Sequence, residues 1–280
     1  MHRLKSFFIV LYMASLLFTL LWAALGLVGK PGNLALWGVV LACGAPLTFF
    51  ARLLLAPIAR TDPRLNWMPI IGTAGTLLAL FSGGMGLLPA MAAPTNGVIL
   101  ALVYIHWYSR FGGRDAPALS IGSQLPELTL QALDGRDVTT GELTQKPALW
   151  LFYRGNWCPL CMAQIREIAT EYRRLHERGV AVYLISPQPD ENSLSLLRRF
   201  DAPMQFLRDQ DNLAARRLGI LVAGGLPMGM QALGYDSDVP MPTVFITAPG
   251  GRVVYSDLTD NYRMRPQPAE FMAALYRAGL

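Results

Sequence analysis

Apolar positions are distributed in two different ways along this chain, and the change falls near residue 110. Before it they form long uninterrupted runs; after it they form short blocks punctuated by charged and turn-forming residues. The run "SFFIVLYMASLLFTLLWAALGLVG" (6–29) carries no charge and exceeds the roughly 20 residues needed to cross a bilayer. Arg3 and Lys5 give it the basic start of a signal peptide. Its apolar core is longer than the roughly 7–15 residues of a signal sequence, so a retained span is expected. A second run starts at Asn33 and is interrupted by Arg52, which can reach the interface from near a helix end. From Leu65 to Ser109, 45 residues pass without Asp, Glu, Lys or Arg. That is too long for one span and fits two, with the break expected at "LLPAMAAPTNG" (87–97), where Pro, Asn and Gly collect. The pattern predicts about four spans.

Flanking charge is consistent with that count. With the N-terminus inside, Arg3, Lys5, Arg52, Arg60, Arg64, Arg110 and Arg114 fall on the cytoplasmic side and only Lys30 falls outside. The positive-inside rule therefore places both ends, and everything after residue 110, in the cytoplasm.

Beyond a Gly/Pro/Ser-containing linker (111–123), the pattern alternates between strand and helix. "ELTLQALDGRDVT" reads as a hairpin turning at Asp134–Gly135, and "ALWLFYR" as a buried strand. "MAQIREIATEYRRLHERG" reads as an amphipathic helix closed by Gly179. Strand "VAVYLIS", helix "NSLSLLRRF", strand "MQFLRD" and helix "NLAARRLG" follow, then strands "TVFITA" and "RVVYSD" and a terminal helix "PAEFMAALYRAG". Such alternation implies an α/β sheet with helices on both faces.

Composition sharpens the division. The chain is 52% hydrophobic and carries a net charge of +5. Residues 1–118 hold eight basic residues against two acidic ones, and residues 119–280 hold sixteen against seventeen. The excess therefore belongs to the membrane flanks, and nucleic acid is excluded as a partner. The basic complement of 21 Arg and 3 Lys suits a bacterial inner membrane. Apart from Arg52, the spans contain no internal charge, which argues against a transporter.

Three cysteines exclude a disulfide-stapled secreted fold. Cys43 sits alone in an apolar run as a small hydrophobe. Cys158 and Cys161, in "WCPLC", stand where a strand meets a helix. Pro159 fits the first helical position. There the free N–H groups and the helix dipole favour a thiolate, so Cys158 is expected to be the activated thiol and Cys161 the resolving one. A closed zinc site would need two more ligands. The histidines are His2, His106 and His176 and there is no second cysteine pair, so no metal is expected.

At these residues the chain resembles the alkyl hydroperoxide reductase/thiol-specific antioxidant (peroxiredoxin-like, redoxin) group. "FYRGNWCPLC" is similar to its FYRGxWCPxC signature, and the resemblance runs through "LISPQPDENSL", "FLRDQDNLAARRLGI", "VPMPTVFITAPGGRV" and "DNYRMRPQPAEFMAAL", about residues 122–279. It implies a thioredoxin-like fold with a cis proline at Pro242, after Met241, facing the cysteines and leaving backbone groups free for a substrate. Peroxiredoxins carry a Pro-x-x-x-Thr/Ser-x-x-Cys loop. With Cys161 as the peroxide-attacking residue, the hydroxyl slot holds Cys158 and the proline slot Arg154; with Cys158, those slots hold Gly155 and Leu151. Neither register keeps the motif. Arg154 would supply a cation beside the thiolate, and Trp157 a cover over the pair. The Gly- and Met-rich segment 221–239 fits a lid or a substrate-contact loop, and Ser186 and Gln188 stand near the site's edge.

The expected architecture is thus an N-terminal α-helical transmembrane region (1–110), a linker (111–123) and an α/β thioredoxin-like domain (124–280). The expected function is thiol–disulfide exchange by the Cys158/Cys161 pair, without a bound cofactor, with an external dithiol as electron donor. Thiol or disulfide compounds, protein or small, are the expected substrates, and lipid is the other partner. A membrane-tethered thiol peroxidase acting on hydroperoxides and a redox-sensing module stand as alternatives.

Overall fold

A computed structural model describes residues 2–82, 87–200 and 202–280. The chain divides into two units, one built from residues 3–56 and 61–110 and the other from 57–60 and 111–280.

The first unit is helical. Helix α1 (His2–Gly29) and helix α2 (Leu34–Leu55) match the first two apolar runs. Asn33 caps α2, its side-chain oxygen accepting from the N–H groups of Ala35 and Leu36 at 3.0 and 3.2 Å. Helix α3 (Trp67–Phe81) has 15 residues, about 22 Å at 1.5 Å per residue, which is short of a hydrocarbon core of about 30 Å. The last apolar stretch starts with α4 (Leu87–Pro94), passes through a π turn (Thr95–Ile99) and one α turn, α5 (Leu100–Val103), and ends in a second π turn (Tyr104–Tyr108). Three of the described helical stretches, Arg3–Gly29, Leu34–Leu55 and Ala90–Tyr108, are long and apolar enough to cross a membrane.

The break expected at 87–97 is not there. Those residues are helical, and residues 83–86 of the same apolar run lie outside the described residues. Pro94 and Gly97 are tolerated because the π turn absorbs the lost hydrogen bond. The Asn96 amide also finds partners: it donates to Ala92 O and to Thr19 Oγ1, and its Oδ1 accepts from Ser15 Oγ at 2.8 Å. Helices meet backbone to backbone along a glycine seam. A Cβ at Gly72 would lie 1.9 Å from Gly97 O, and one at Gly38 would lie 2.4 Å from Ala79 N.

The second unit holds a seven-stranded mixed sheet. Its strands are β1 (Thr129–Ala132), β2 (Asp137–Thr139), β3 (Ala148–Phe152), β4 (Ala181–Ser186), β5 (Gln205–Arg208), β8 (Thr243–Thr247) and β9 (Val253–Asp257), in the order β2-β1-β5-β4-β3-β8-β9. Strands β6 (Leu221–Val222) and β7 (Val239–Pro240) form a separate short antiparallel ladder. Strand β3 runs parallel to β4 and antiparallel to β8. Every residue of β3 is buried, as a near-continuous apolar strand between two covered faces should be. On one face Trp150 stacks on Phe245 at 5.6 Å between centroids, and its indole N–H reaches Thr247 Oγ1 at 2.9 Å.

The helices are α6 (Thr140–Leu143), α7 (Pro159–Glu177), α8 (Asp190–Arg199), α9 (Leu213–Arg217) and α10 (Pro268–Arg277). Helix α7 starts at Pro159 and is closed by Gly179 at φ +69°. It packs against α10, and Ile165, Ile168, Phe271 and Leu275 are buried. Residues 111–123, expected as a linker, pack into this unit: Ala116 and Leu119 are part of its core, and Pro117–Leu119 forms a 3-10 turn.

Candidate active site

The loop between β3 and α7 leads into the two cysteines of the C-P-L-C pair. Tyr153 N–H donates to Ile185 O and carries the β3–β4 pairing one residue beyond the strand. The chain then turns at Gly155, whose φ of +146° excludes a side chain; a Cβ there would meet Trp157 Nε1 at 2.6 Å. Cys158 N–H closes the turn onto Gly155 O at 3.2 Å. Cys158 is the N-cap of α7, Pro159 follows at the first helical position, and Cys161 sits one turn in.

The two sulfurs are 2.6 Å apart and unbonded. Cys158 is 3% exposed and Cys161 not at all. Two donors converge on Cys161, and it shares a hydrogen bond with the second thiol. Arg265 Nη2 lies 3.6 Å from its sulfur, the backbone N–H of Arg154 donates to it, and the two thiols are hydrogen-bonded to each other. Burial pushes the Cys161 thiol up, but these hydrogen bonds and the charges of Arg265 and Arg154 outweigh it and bring its pKa down to about 6. Cys158 moves the other way. Burial raises it well above the usual thiol value, because it keeps the proton that it shares with Cys161. This puts the lower pKa on Cys161, where the helix-terminus reading expects it on Cys158. Helix-terminus logic favours Cys158; the charges of Arg265 and Arg154 favour both thiolates, and the Arg154 N–H together with the hydrogen bond between the thiols favours Cys161.

Arg265 is itself held in place. It is 6% exposed, Nη1 donates to Gln164 Oε1 at 3.1 Å, and Nε donates to Tyr262 O at 2.9 Å. Arg154 acts twice, by its backbone on Cys161 and by Nη2 on Gly225 O at 3.0 Å. Its guanidinium lies 5.6 Å from the Trp157 ring and 6.0 Å from that of Tyr262. Trp157 is half-buried over this cation, and its Nε1, like Arg154 Nε, is buried without an acceptor. Beneath the loop, Gln188 Oε1 accepts from Asn156 N–H at 2.8 Å, and its amide donates to Tyr153 OH and Ser193 Oγ. Burial raises the pKa of Tyr153.

Met241 and Pro242 are buried, but the expected cis bond is absent: the described chain has no cis peptide. Met241 and Pro242 lie between the end of β7 at Pro240 and the start of β8 at Thr243, with ladder pairs on either side. Nor are their backbone groups free. Met241 N–H donates to Ile220 O at 2.6 Å, Met241 O accepts from Thr243 Oγ1, and Pro242 O accepts from Arg114 Nη1 at 3.3 Å. Arg114 also contacts Thr243 Oγ1, and burial pushes its pKa down to about 10.

Arg265, Gln164, Asn156 and Tyr153 are the site residues that local sequence reading misses. Arg265 lies within the quoted "DNYRMRPQPAE" stretch, but 104 positions separate it from Cys161.

Residues 121–256 match the AhpC/TSA family model. The C-terminal half is an AhpC/TSA family domain. This AhpC/TSA domain has the thioredoxin-like peroxiredoxin fold. Among curated proteins it is similar to "Peroxiredoxin Q, chloroplastic" of Gentiana triflora, 28% identical over 102 residues, or 36% of this chain and 47% of that one. The Sedum lineare protein of the same name is 26% identical over 99 residues, 35% of this chain and 53% of that one. The chain spans about half the length of these curated relatives. Among solved structures, Enterococcus faecalis AhpC aligns with a TM-score of 0.47 at 17% identity, covering 57% of this chain and 92% of that one. Mycobacterium tuberculosis AhpC aligns with a TM-score of 0.47 at 17% identity, covering 59% and 100%.

Proposed function

We propose that the AhpC/TSA domain is a thiol-dependent peroxidase for hydroperoxides, carried by a multi-span membrane segment. The observation that carries this reading is the state of Cys161, a fully buried sulfur with Arg265 at 3.6 Å and a second thiol at 2.6 Å. The Cys161 thiolate attacks the terminal oxygen of ROOH. The O–O bond breaks and Cys161 becomes the sulfenic acid. The RO⁻ that leaves develops its charge beside Arg265 and takes a proton to become ROH. Cys158 sulfur then attacks the sulfenic sulfur, the S–S bond forms, and water departs with the Cys158 proton. Two exchange steps with an external dithiol reduce the disulfide and restore both thiols.

In this register Cys158 stands where peroxiredoxins carry a hydroxyl, and its S–H takes over as the donor beside the reactive sulfur. The test is rapid-mixing oxidation of the reduced full-length protein in lipid nanodiscs by hydrogen peroxide. A second-order rate constant at least about a hundredfold above that of a free thiol supports the peroxidase. A free-thiol rate overturns it.

Thiol–disulfide exchange is the second reading, favoured by one feature: a C-P-L-C pair at a strand-to-helix junction with its first cysteine at the helix N-cap. Rapid reduction of a small disulfide, with only a free-thiol rate toward peroxide, would select it. The apolar helices anchor the protein, in our reading as four spans with both ends in the cytoplasm of a bacterial cell. The domain limits proposed are 1–110 for the apolar helices and 111–280 for the second unit, the expected linker 111–123 being part of it. Labelling of Cys158 and Cys161 by a charged thiol reagent only in inverted vesicles tests this orientation.

A further inference from the structure

The pair that does this chemistry is buried, yet it must meet both an oxidant and a reductant. The segment between β6 and β7 is tied to the loop that precedes the pair. Its base is firm: Leu221 pairs with Pro240 and Val222 with Val239, Leu226 N–H donates to Ser237 O, and Gly224 N–H donates to Asp238 Oδ1 at 2.8 Å. Val222 and Leu226 are core residues. Its tip is different. A 3-10 turn (Met230–Leu233) stands between Gly229 at φ +93° and Gly234 at φ +82°, and Met228, Gln231, Ala232 and Leu233 face solvent.

The tip returns to the domain through Tyr235. Its hydroxyl donates to Asn156 Oδ1 and accepts from Asn192 Nδ2 at 3.2 Å. Asn156 lies two residues before Cys158, in the loop whose Arg154 holds the Cys161 sulfur and donates to Gly225 O. The segment thus grips the catalytic loop at two points, one at its base and one at its tip. The closed arrangement also leaves Trp157 Nε1 and Arg154 Nε buried without acceptors, so it is held with little to spare.

We propose that Tyr235 is a specificity-determining latch: through Asn156 and Asn192 it keeps the 223–238 segment closed on the catalytic loop, so that hydrogen peroxide and small alkyl hydroperoxides reach Cys161 while bulky hydroperoxides do not. The proposal rests on the peroxidase reading for its substrates, but the latch has its own readout. Phe at 235 keeps the ring and loses both hydrogen bonds.

The experiment compares full-length wild type and Tyr235→Phe, reduced, in lipid nanodiscs. Thiol labelling is followed with iodoacetamide and with a fluorescein maleimide, and oxidation with hydrogen peroxide and with cumene hydroperoxide. Release of the latch raises labelling by the bulky maleimide at least tenfold more than labelling by iodoacetamide. It raises the cumene-to-hydrogen-peroxide rate ratio at least fivefold, with the hydrogen peroxide constant within twofold of wild type. Asn192→Ala, which removes one of the two bonds, gives a smaller change of the same sign and serves if Tyr235→Phe does not fold. Unchanged ratios, or equal rises with large and small reagents, overturn the latch. A wild type that oxidises only at a free-thiol rate overturns the peroxidase reading instead, and the two alkylation rates still decide the latch.

Discussion

The guanidinium of Arg265 lies 3.6 Å from the sulfur of Cys161, buried, and braced by the side-chain oxygen of Gln164. A charge-assisted contact of this kind in a water-excluded site favours the thiolate form of Cys161, adding to the hydrogen bond that it shares with Cys158. Removing the cation while keeping the bulk, in Arg265→Met, should move the Cys161 titration from about 6 toward the ordinary thiol value. The rate with hydrogen peroxide at pH 7 should fall roughly tenfold or more. Thiolate absorbance near 240 nm, followed against pH, checks the first. In wild type the reactive fraction is lost as pH falls through 6, because that is where Cys161 takes up its proton.

The two cysteines should separate cleanly by role. On the proposed peroxidase mechanism, with the Cys161 thiolate as nucleophile, Cys161→Ser should lower peroxide consumption by at least about a hundredfold. Cys158→Ser should still be oxidised once and stop at a sulfenic acid on Cys161, which a dimedone adduct seen by mass spectrometry would reveal. An adduct found on Cys158 in the converse variant, with Cys158 oxidised at the wild-type rate, would restore the helix-terminus order.

Asp209 offers a pH test of stability away from the cysteines. It is buried, and its two oxygens accept from Ala214 and Ala215 N–H at 2.8 Å each, at the start of α9. Burial outweighs those bonds and raises its pKa to about 6. A carboxyl whose folded pKa lies above its unfolded one contributes stability that is complete below the unfolded value, near 4, and lost as pH rises through 6. The folded protein should therefore gain up to about 3 kcal/mol from this group between pH 7.5 and 4. Denaturation curves at the two pH values should show the difference in wild type and not in Asp209→Asn.

Gly155→Ala tests the turn that aims the loop. The left-handed φ and the clash with the Trp157 ring should destabilise the domain by about 1–3 kcal/mol. The turn would also displace Arg154 N–H from Cys161. A melting midpoint and a Cys161 titration measured on the same sample would show both effects.

Much of this was legible in the sequence, for identifiable reasons. The strand "ALWLF", the turn at Gly155 and the helix opening at Pro159 announce themselves by local punctuation, and the C-P-L-C pair is placed by that punctuation alone. Arg265 was hidden because its role depends on a long-range approach between α7 and the segment before α10. Pro242 misled because an X–Pro bond carries only a small intrinsic preference, and surrounding hydrogen bonds decide the isomer. In the apolar N-terminal half, Pro94, Asn96 and Gly97 read as a break because they would break a helix in water. A π turn and the hydroxyls of Ser15 and Thr19 carry the helix through them instead.

The glycine seam of that half sets a geometric tolerance. Where Gly72 meets Gly97, and Gly38 meets Ala79, main chain lies against main chain with no room for a single methyl group. Helices joined in this way are positioned as a dovetail is, by the shape of the joint rather than by the filling between its parts. One added carbon at Gly72 or Gly38 would act as a wedge, felt along the whole length of both helices, whereas a change on the exposed side of α1, at Phe18 or Leu25, would meet no such joint.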